Sequence, residues 1–86
     1  MEKYKEVYLK FFGYGEQDFV PCEVCNAKAV DIHHIIFRSQ GGSDEIENLM
    51  GLCRECHNNA HRHRYYPTYL QEIHNEFTKR VTRWDY

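Results

Sequence analysis

Apolar residues follow a helical spacing at both ends of the chain. Near the N terminus they recur every three or four positions, which predicts a short amphipathic helix over residues 3–12, ended by a glycine-rich turn. A longer helix is predicted to begin near Pro67, a residue suited to the first turn of a helix. The apolar stripes of the two helices are Tyr4, Val7, Tyr8 and Phe11 in the first, and Leu70, Ile73, Phe77, Val81 and Trp84 in the second. The stripe of the second helix is expected to pack in a core or against a partner.

Between these helices the pattern predicts a strand, a loop, a second strand and a helix. Residues 29–33 alternate between apolar and polar, residues 49–52 form a short apolar run, and residues 53–62 follow as a helix. The connecting loop is rich in glycine and serine. Asp44 and Glu47 stand at capping-box spacing within it, which predicts a single helical turn.

Four cysteines stand in two matched Cys-x2-Cys pairs, Cys22 with Cys25 and Cys53 with Cys56, separated by 27 residues. Zinc takes four thiolates in a tetrahedron, and each short turn aims two sulfurs at one point, so the pairs predict one structural zinc site. Two disulfides are the alternative for an exported protein. The first ten residues lack the apolar stretch of a signal peptide, which favours zinc over disulfides and predicts a cytoplasmic protein.

The length and charge of the chain limit its class. Its 86 residues are expected to form a single domain, residues 1–86 with a core at 20–64. A chain of this size buries only roughly 60–65% of its unfolded surface, so a metal is a useful source of stability. No apolar run approaches the ~18 residues of a membrane span, so no membrane partner is expected. The net charge of −2 slightly disfavours tight nonspecific binding to nucleic acid, although residues 54–86 are more basic than residues 1–53.

Four histidines surround the cysteine pairs in a definite order. His33 and His34 end the predicted first strand, and His57 and His61 lie four residues apart on the predicted helix. Residues at this helical spacing project from one face, which suits joint ligation of a metal ion. The set therefore indicates a second metal site, in addition to the structural zinc.

In order and spacing these motifs resemble the HNH endonucleases. The matching stretch, Cys22 to His61, covers 40 of the 86 residues. It reads Cys-Glu-Val-Cys, then Asp-Ile-His-His-Ile-Ile-Phe-Arg-Ser-Gln-Gly-Gly-Ser, then Glu-Asn-Leu, and finally Cys-Arg-Glu-Cys-His-Asn-Asn-Ala-His. The resemblance implies a small α+β fold with a ββα-metal core, made of two short strands and a helix. It also implies a four-cysteine zinc site and flanking N- and C-terminal helices.

The resemblance also implies a role for each polar residue of the motif. His34 corresponds to the general base, and Asn48 to the asparagine that holds the loop carrying the base. His33, His57 and, in part of the family, His61 correspond to ligands of a catalytic divalent ion. Many members have Asp at the position of His33, and this departure favours softer ions such as Mn²⁺, Ni²⁺ or Zn²⁺ over Mg²⁺.

These residue types suit phosphodiester hydrolysis. A neutral imidazole, with an ordinary pKa of about 6.5, accepts a proton from water, and a divalent ion stabilises charge on the phosphoryl and leaving oxygens. One histidine cannot both hold the ion and take the proton, so an adjacent pair divides the work. Arg38 is a candidate contact to the substrate phosphate, and an exposed loop arginine without a role is an equal alternative.

The sequence thus predicts a metal-dependent DNA endonuclease that cuts one strand per active site and leaves 5′-phosphate and 3′-hydroxyl ends. The choice of DNA, with duplex expected, rests on the resemblance alone. A small-molecule cofactor is not expected, and the chain is predicted to be a monomer or a weak dimer. The alternative is a non-catalytic zinc-ribbon module that binds nucleic acid, in which the histidines merely line a surface.

Overall fold

A two-stranded antiparallel sheet lies at the centre of the protein in a computed structural model that describes residues 2–15 and 17–82. Strand β1 is Asp31–His34 and strand β2 is Leu49–Leu52. Their register pairs Asp31 with Leu52 and His34 with Leu49. The two strands are therefore fully paired along their four-residue lengths.

Three helices surround this sheet. Helix α1 (Lys3–Phe12) precedes it, helix α2 (Arg54–His61) follows β2 directly, and helix α3 (Pro67–Thr82) ends the described chain. Two 3-10 turns, Arg38–Gln40 and Ile46–Asn48, lie in the connection between the strands. The predicted ββα core with flanking helices is confirmed. Among the described residues, no helix is both long and apolar enough to span a bilayer.

The ends of the elements follow local sequence signals. Helix α1 ends at Gly13, whose φ of 73° lies in the left-handed region that glycine adopts without strain. Helix α2 begins one residue after the predicted start because Cys53 is its N-cap, with a sulfur that accepts a hydrogen bond from the Cys56 N–H at 3.4 Å. Strand β1 begins at Asp31, two residues later than predicted.

The capping box predicted after the loop does not form. The helical turn begins at Ile46, and its N-cap residue Glu45 makes no side-chain cap. The Asp44 carboxylate is instead bonded to the His34 imidazole and the Arg38 guanidinium. The predicted single helical turn is thus present, but its predicted cap was wrong because these two tertiary partners compete with the local backbone for the same carboxylate.

The hydrophobic core lies between the sheet, α2 and α3. Its cluster of buried residues is Cys22, Ile35, Met50, Leu52, Cys56, Ala60 and Leu70. Within the predicted stripe of α3, Leu70 and Phe77 are buried and Ile73 packs partly buried against this cluster. The side chain of Val81 and the whole of Trp84 lie outside the described residues.

A buried polar network joins the flanking helices to the first cysteine turn. The Glu23 carboxylate accepts hydrogen bonds from the Tyr8 hydroxyl at 2.5 Å, from His74 Nδ1 at 2.7 Å and from the Gly51 N–H at 3.2 Å. The other ring nitrogen of His74 donates to the Ile46 carbonyl at 2.7 Å. Because both ring nitrogens face acceptors, His74 is a cation that forms a buried ion pair with Glu23.

Candidate active site

The two cysteine turns bring four sulfur atoms together. The Sγ atom of Cys25 lies 3.6 Å from that of Cys53 and 3.8 Å from that of Cys56, and the four ligand atoms, including that of Cys22, lie within 4.8 Å of one another. Four thiolates around one zinc, at a Zn–S distance of about 2.3 Å, have sulfurs about 3.8 Å apart. A disulfide needs a separation of about 2.05 Å, so the spacing fits a four-cysteine metal site and not disulfides.

The chemistry of these thiols also fits a bound cation. Burial, followed by the neighbouring thiols, raises the pKa of Cys56. Burial acts in the same sense on Cys22, but surrounding backbone N–H groups outweigh it and lower the pKa of that thiol. Ionised sulfurs repel one another. A divalent cation stabilises such a cluster because it balances their charge. The zinc site predicted from the sequence is therefore compatible with both the distances and the electrostatics.

A second cluster of ligand atoms lies between β1 and α2. One nitrogen from each of His33, His57 and His61 lies within 4.8 Å of the others, and the Nε2 atoms of His57 and His61 are 3.0 Å apart. His33 comes from the strand, whereas His57 and His61 come from adjacent turns of the helix. The structure thus brings together the three histidines predicted as ligands, in a set that bridges strand and helix.

The environment of His33 keeps its imidazole neutral. Its side chain is only 3% exposed, and burial, followed by the charges of His57, His61 and His34, lowers its pKa to about 4. At neutral pH the ring therefore retains a lone pair. A metal ligand must be deprotonated in this way, so the pKa shift of His33 fits a site for a divalent ion.

Asp31 orients one of these ligands and was not singled out from the sequence. Its Oδ2 atom lies 2.9 Å from Nδ1 of His57 and 3.4 Å from the guanidinium of Arg54. When Nδ1–H of His57 donates to this carboxylate, Nε2 is left as the ligand atom and faces His61. One sequence signal was available: Asp31 precedes His33 by two residues, so both project from the same face of a strand.

The predicted base lies outside the histidine cluster. Nε2 of His34 is 2.7 Å from Oδ1 of Asp44, and its ring packs edge-on against Tyr4 of α1 at 4.7 Å between centroids. The hydrogen bond with His34 lowers the pKa of Asp44. Arg38, the candidate phosphate contact, is exposed and bonds the other oxygen of Asp44 at 3.3 Å. Asp44 therefore connects the predicted base to the candidate phosphate contact, a link that no local sequence pattern indicates.

Asn48 fastens both ends of the loop that follows β1. Its Oδ1 accepts from the Ile36 N–H at 2.7 Å, and its Nδ2 donates to the carbonyls of Ile36 at 3.0 Å and Ser43 at 2.9 Å. The loop returns so closely that a Cβ atom at Gly42 would lie 1.7 Å from the Ile36 carbonyl oxygen. Only glycine fits at position 42. The bonds of Asn48 hold the chain directly after His34 against the start of β2.

Comparisons with known proteins support the resemblance to the HNH endonucleases. The family model described as HNH endonuclease matches residues 22–63. Anaredoxin from Nostoc sp. (strain PCC 7120 / SAG 25.82 / UTEX 2576) is 48% identical over 44 residues, which cover 48% of this chain and 57% of that protein. Probable mobile endonuclease C of Enterobacteria phage T4 is 34% identical over 58 residues, which cover 67% of this chain and 27% of that protein.

The two relatives are longer than the regions that match. The chain spans 57% of the length of the first and 27% of the length of the second. No solved structure matches the chain. The segment matched by the family model contains both cysteine pairs, the three clustered histidines and the loop held by Asn48. Residues 22–63 of this chain therefore belong to the HNH endonuclease family.

Proposed function

We propose that this protein is a metal-dependent DNA endonuclease that hydrolyses one strand per active site and leaves 5′-phosphate and 3′-hydroxyl ends. One observation carries the proposal: within the HNH segment, nitrogens of His33, His57 and His61 converge from a strand and a helix to within 4.8 Å. Family membership supports a nuclease acting on nucleic acid, and a relative described as a probable mobile endonuclease agrees with this.

The proposed catalytic ion is divalent and would be held by the three clustered histidines. Imidazole ligands suit Mn²⁺, Ni²⁺ and Zn²⁺ better than Mg²⁺, and Mn²⁺ is the first ion to test. When bound, such an ion supplies Lewis-acid stabilisation of charge on the phosphoryl and leaving oxygens. The structural zinc would be held separately, by Cys22, Cys25, Cys53 and Cys56.

His34 is proposed to accept the proton of the attacking water. It is the histidine at the strand end that is not part of the ligand cluster, and with Nε2 bonded to Asp44 its Nδ1 is available for proton transfer. Asn48 would hold the loop so that this ring keeps its position. Arg38 would bind the substrate phosphate through its exposed guanidinium, which bonds the same Asp44 carboxylate as His34.

The remaining proposals concern the whole protein. We take duplex DNA as the substrate, residues 1–86 as one domain, and a monomer or weak dimer as the active form. The proposed location is the cytoplasm, and the proposed reaction uses no small-molecule cofactor.

A supercoiled plasmid tests this function directly. We expect wild-type protein to produce nicked circles with Mn²⁺ and none with chelator, and His33→Ala to slow nicking by about 100-fold or more because a metal ligand is lost. His63→Asn is the matched control, since His63 is an exposed histidine outside the cluster whose φ of 60° asparagine tolerates. Binding of plasmid without cleavage under any divalent ion would instead support the zinc-ribbon alternative.

A further inference from the structure

We propose that Asp44 is a positioning residue for the reaction: it accepts the Nε2–H of His34 and so presents Nδ1, without a proton, as the nitrogen that receives the proton of water. This inference rests on the proposed function of His34 as the base. It assigns a role to a carboxylate that local sequence predicted only as a helix cap.

The hydrogen-bond geometry determines which nitrogen carries the proton. Oδ1 of Asp44 lies 2.7 Å from Nε2 of His34, and its Oδ2 lies 3.3 Å from the Arg38 guanidinium. An ionised carboxylate only accepts hydrogen bonds, so the nitrogen facing it must be the donor. A neutral imidazole has a single N–H, and Nδ1 is therefore left with the lone pair that a base requires.

One further contact, together with burial, limits rotation of the ring. Tyr4 of α1 packs edge-on against the imidazole, with planes at 64°, and the side chain of His34 is only 11% exposed. A flip of the ring would break the bond to Asp44, since Nε2 would turn away from the carboxylate. After proton transfer, the charge of Asp44 would also stabilise the imidazolium that forms, as the carboxylate of a catalytic triad does.

Asn48 holds His34 and Asp44 in position relative to each other. Its side chain bonds Ile36, two residues after His34, and Ser43, the residue directly before Asp44. The two ends of the loop, one carrying the base and the other the carboxylate, are thus tied to a single buried side chain. We expect substitution of Asn48 to loosen the contact between His34 and Asp44 as well as the loop itself.

A double-mutant cycle tests whether Asp44 acts through His34. Single-turnover nicking is measured with saturating Mn²⁺ for wild type, Asp44→Ala, His34→Ala and the double variant. We expect Asp44→Ala to lower the maximal rate by about 10- to 100-fold in the wild-type background and to have no further effect beside His34→Ala. The Mn²⁺ concentration for half-maximal rate should stay unchanged, and Asp44→Glu should restore part of the rate.

Glu45→Gln is the matched control, since it removes one negative charge from the neighbouring exposed position and should leave the rate unchanged. Equal losses from Asp44→Ala in both backgrounds would overturn the proposal, because the carboxylate would then act without His34. A faster Asp44→Ala enzyme would also overturn it, by showing that the carboxylate sequesters the base.

Imidazole ¹⁵N chemical shifts provide a readout that does not depend on cleavage. Zinc-loaded wild-type protein should show His34 as the Nε2–H tautomer, and Asp44→Ala should show a mixture of tautomers. If the wild type cuts no DNA but shows this tautomer, the nuclease proposal fails while the contact stands. An Nδ1–H tautomer in the wild type would overturn the positioning role itself.

Discussion

His33 and His74 are buried to almost the same extent, at 3% and 1% exposure, yet their pKa values shift in opposite directions. Burial alone lowers the pKa of both rings. Around His33 the neighbours are other imidazoles, which lower its pKa further, to about 4. Around His74 the hydrogen bond and charge of Glu23, with the Ile46 carbonyl, outweigh burial and raise its pKa.

The partners of a buried histidine therefore decide what it can do. His33 is neutral and keeps a lone pair, so it can join a site that acquires its positive charge from a bound ion. His74 has both N–H groups committed to Glu23 and Ile46, so it has no lone pair for a metal. The region around His33 is suited to bind a cation. The region around His74 already contains one, the imidazolium of His74, and it holds the flanking helices.

The four-cysteine site supports the regions around His33 and His74. Its loss should therefore have the largest effect on the stability of the fold. Glu23 lies within the first cysteine turn, and His57 directly follows Cys56. We expect Cys25→Ser to abolish cooperative thermal unfolding, because a structural zinc supplies folding free energy of about 10 kcal/mol or more in small domains. Zinc chelation of the wild type should have the same effect by circular dichroism. A cooperative melt that survives both treatments would contradict a structural zinc.

Breaking the ion pair between His74 and Glu23 should lower the free energy of unfolding. His74→Ala leaves the Glu23 carboxylate buried without its cation, which should lower the free energy of unfolding by about 3–5 kcal/mol in zinc-loaded protein. Glu23→Gln combined with His74→Ala should cost less than the sum of the single changes, because the two residues interact. Urea denaturation measures all three variants, and strict additivity would show that the pair is not coupled.

Substitution of Asp31 should weaken the histidine cluster without unfolding the domain. Asp31→Asn removes the charge that orients His57, and we expect affinity for Mn²⁺ to fall by about 10- to 100-fold. Isothermal titration of zinc-loaded protein with Mn²⁺ measures this change. Arg54→Gln is the control, since it removes the other partner of Asp31 and leaves the bond to His57. Equal Mn²⁺ affinity in Asp31→Asn and wild type would contradict an orienting role.

The charge of His74 should also appear as a pH dependence of stability. A histidine whose folded pKa is raised contributes fully below its unfolded pKa of about 6.5, and the contribution is lost as pH rises through the folded value. Above about pH 6.5 the free energy of unfolding should fall by up to about 1.4 kcal/mol per pH unit. Glu23 and Glu47 are the acidic groups that favour the cation. Comparison with His74→Gln isolates the effect, and parallel pH profiles for the two proteins would contradict it.

Local spacing in the sequence predicted most of the fold and the clustering of the cysteines and of the two helix histidines. The cysteine pairs and the two histidines of α2 are only three or four residues apart, so their convergence follows from the geometry of a turn or a helix. These features depend on short-range geometry, which a single sequence specifies well. The choice of His33 and not His34 as the strand ligand followed from the resemblance to the HNH endonucleases.

The contacts that were missed depend on tertiary structure. His74 meets Glu23 across 51 positions of the chain, and no local pattern marks either residue as half of an ion pair. Asp44 had a plausible local role as a cap, but the fold brings His34 within 2.7 Å of it. In both cases the packing of helices, strands and loops brings the charged side chain to its partner. The periodicity of the sequence does not encode this packing.

A titration with Mn²⁺ shows whether His33, His57 and His61 form the catalytic metal site. Zinc-loaded protein is titrated while bound Mn²⁺ and plasmid nicking are followed in parallel, for wild type, His33→Ala and His63→Asn. We expect one Mn²⁺ per chain in wild type and His63→Asn, with nicking that rises as the site fills, and in His33→Ala weaker binding with nicking slowed by about 100-fold or more. Unchanged Mn²⁺ binding and nicking in His33→Ala would contradict the proposed site.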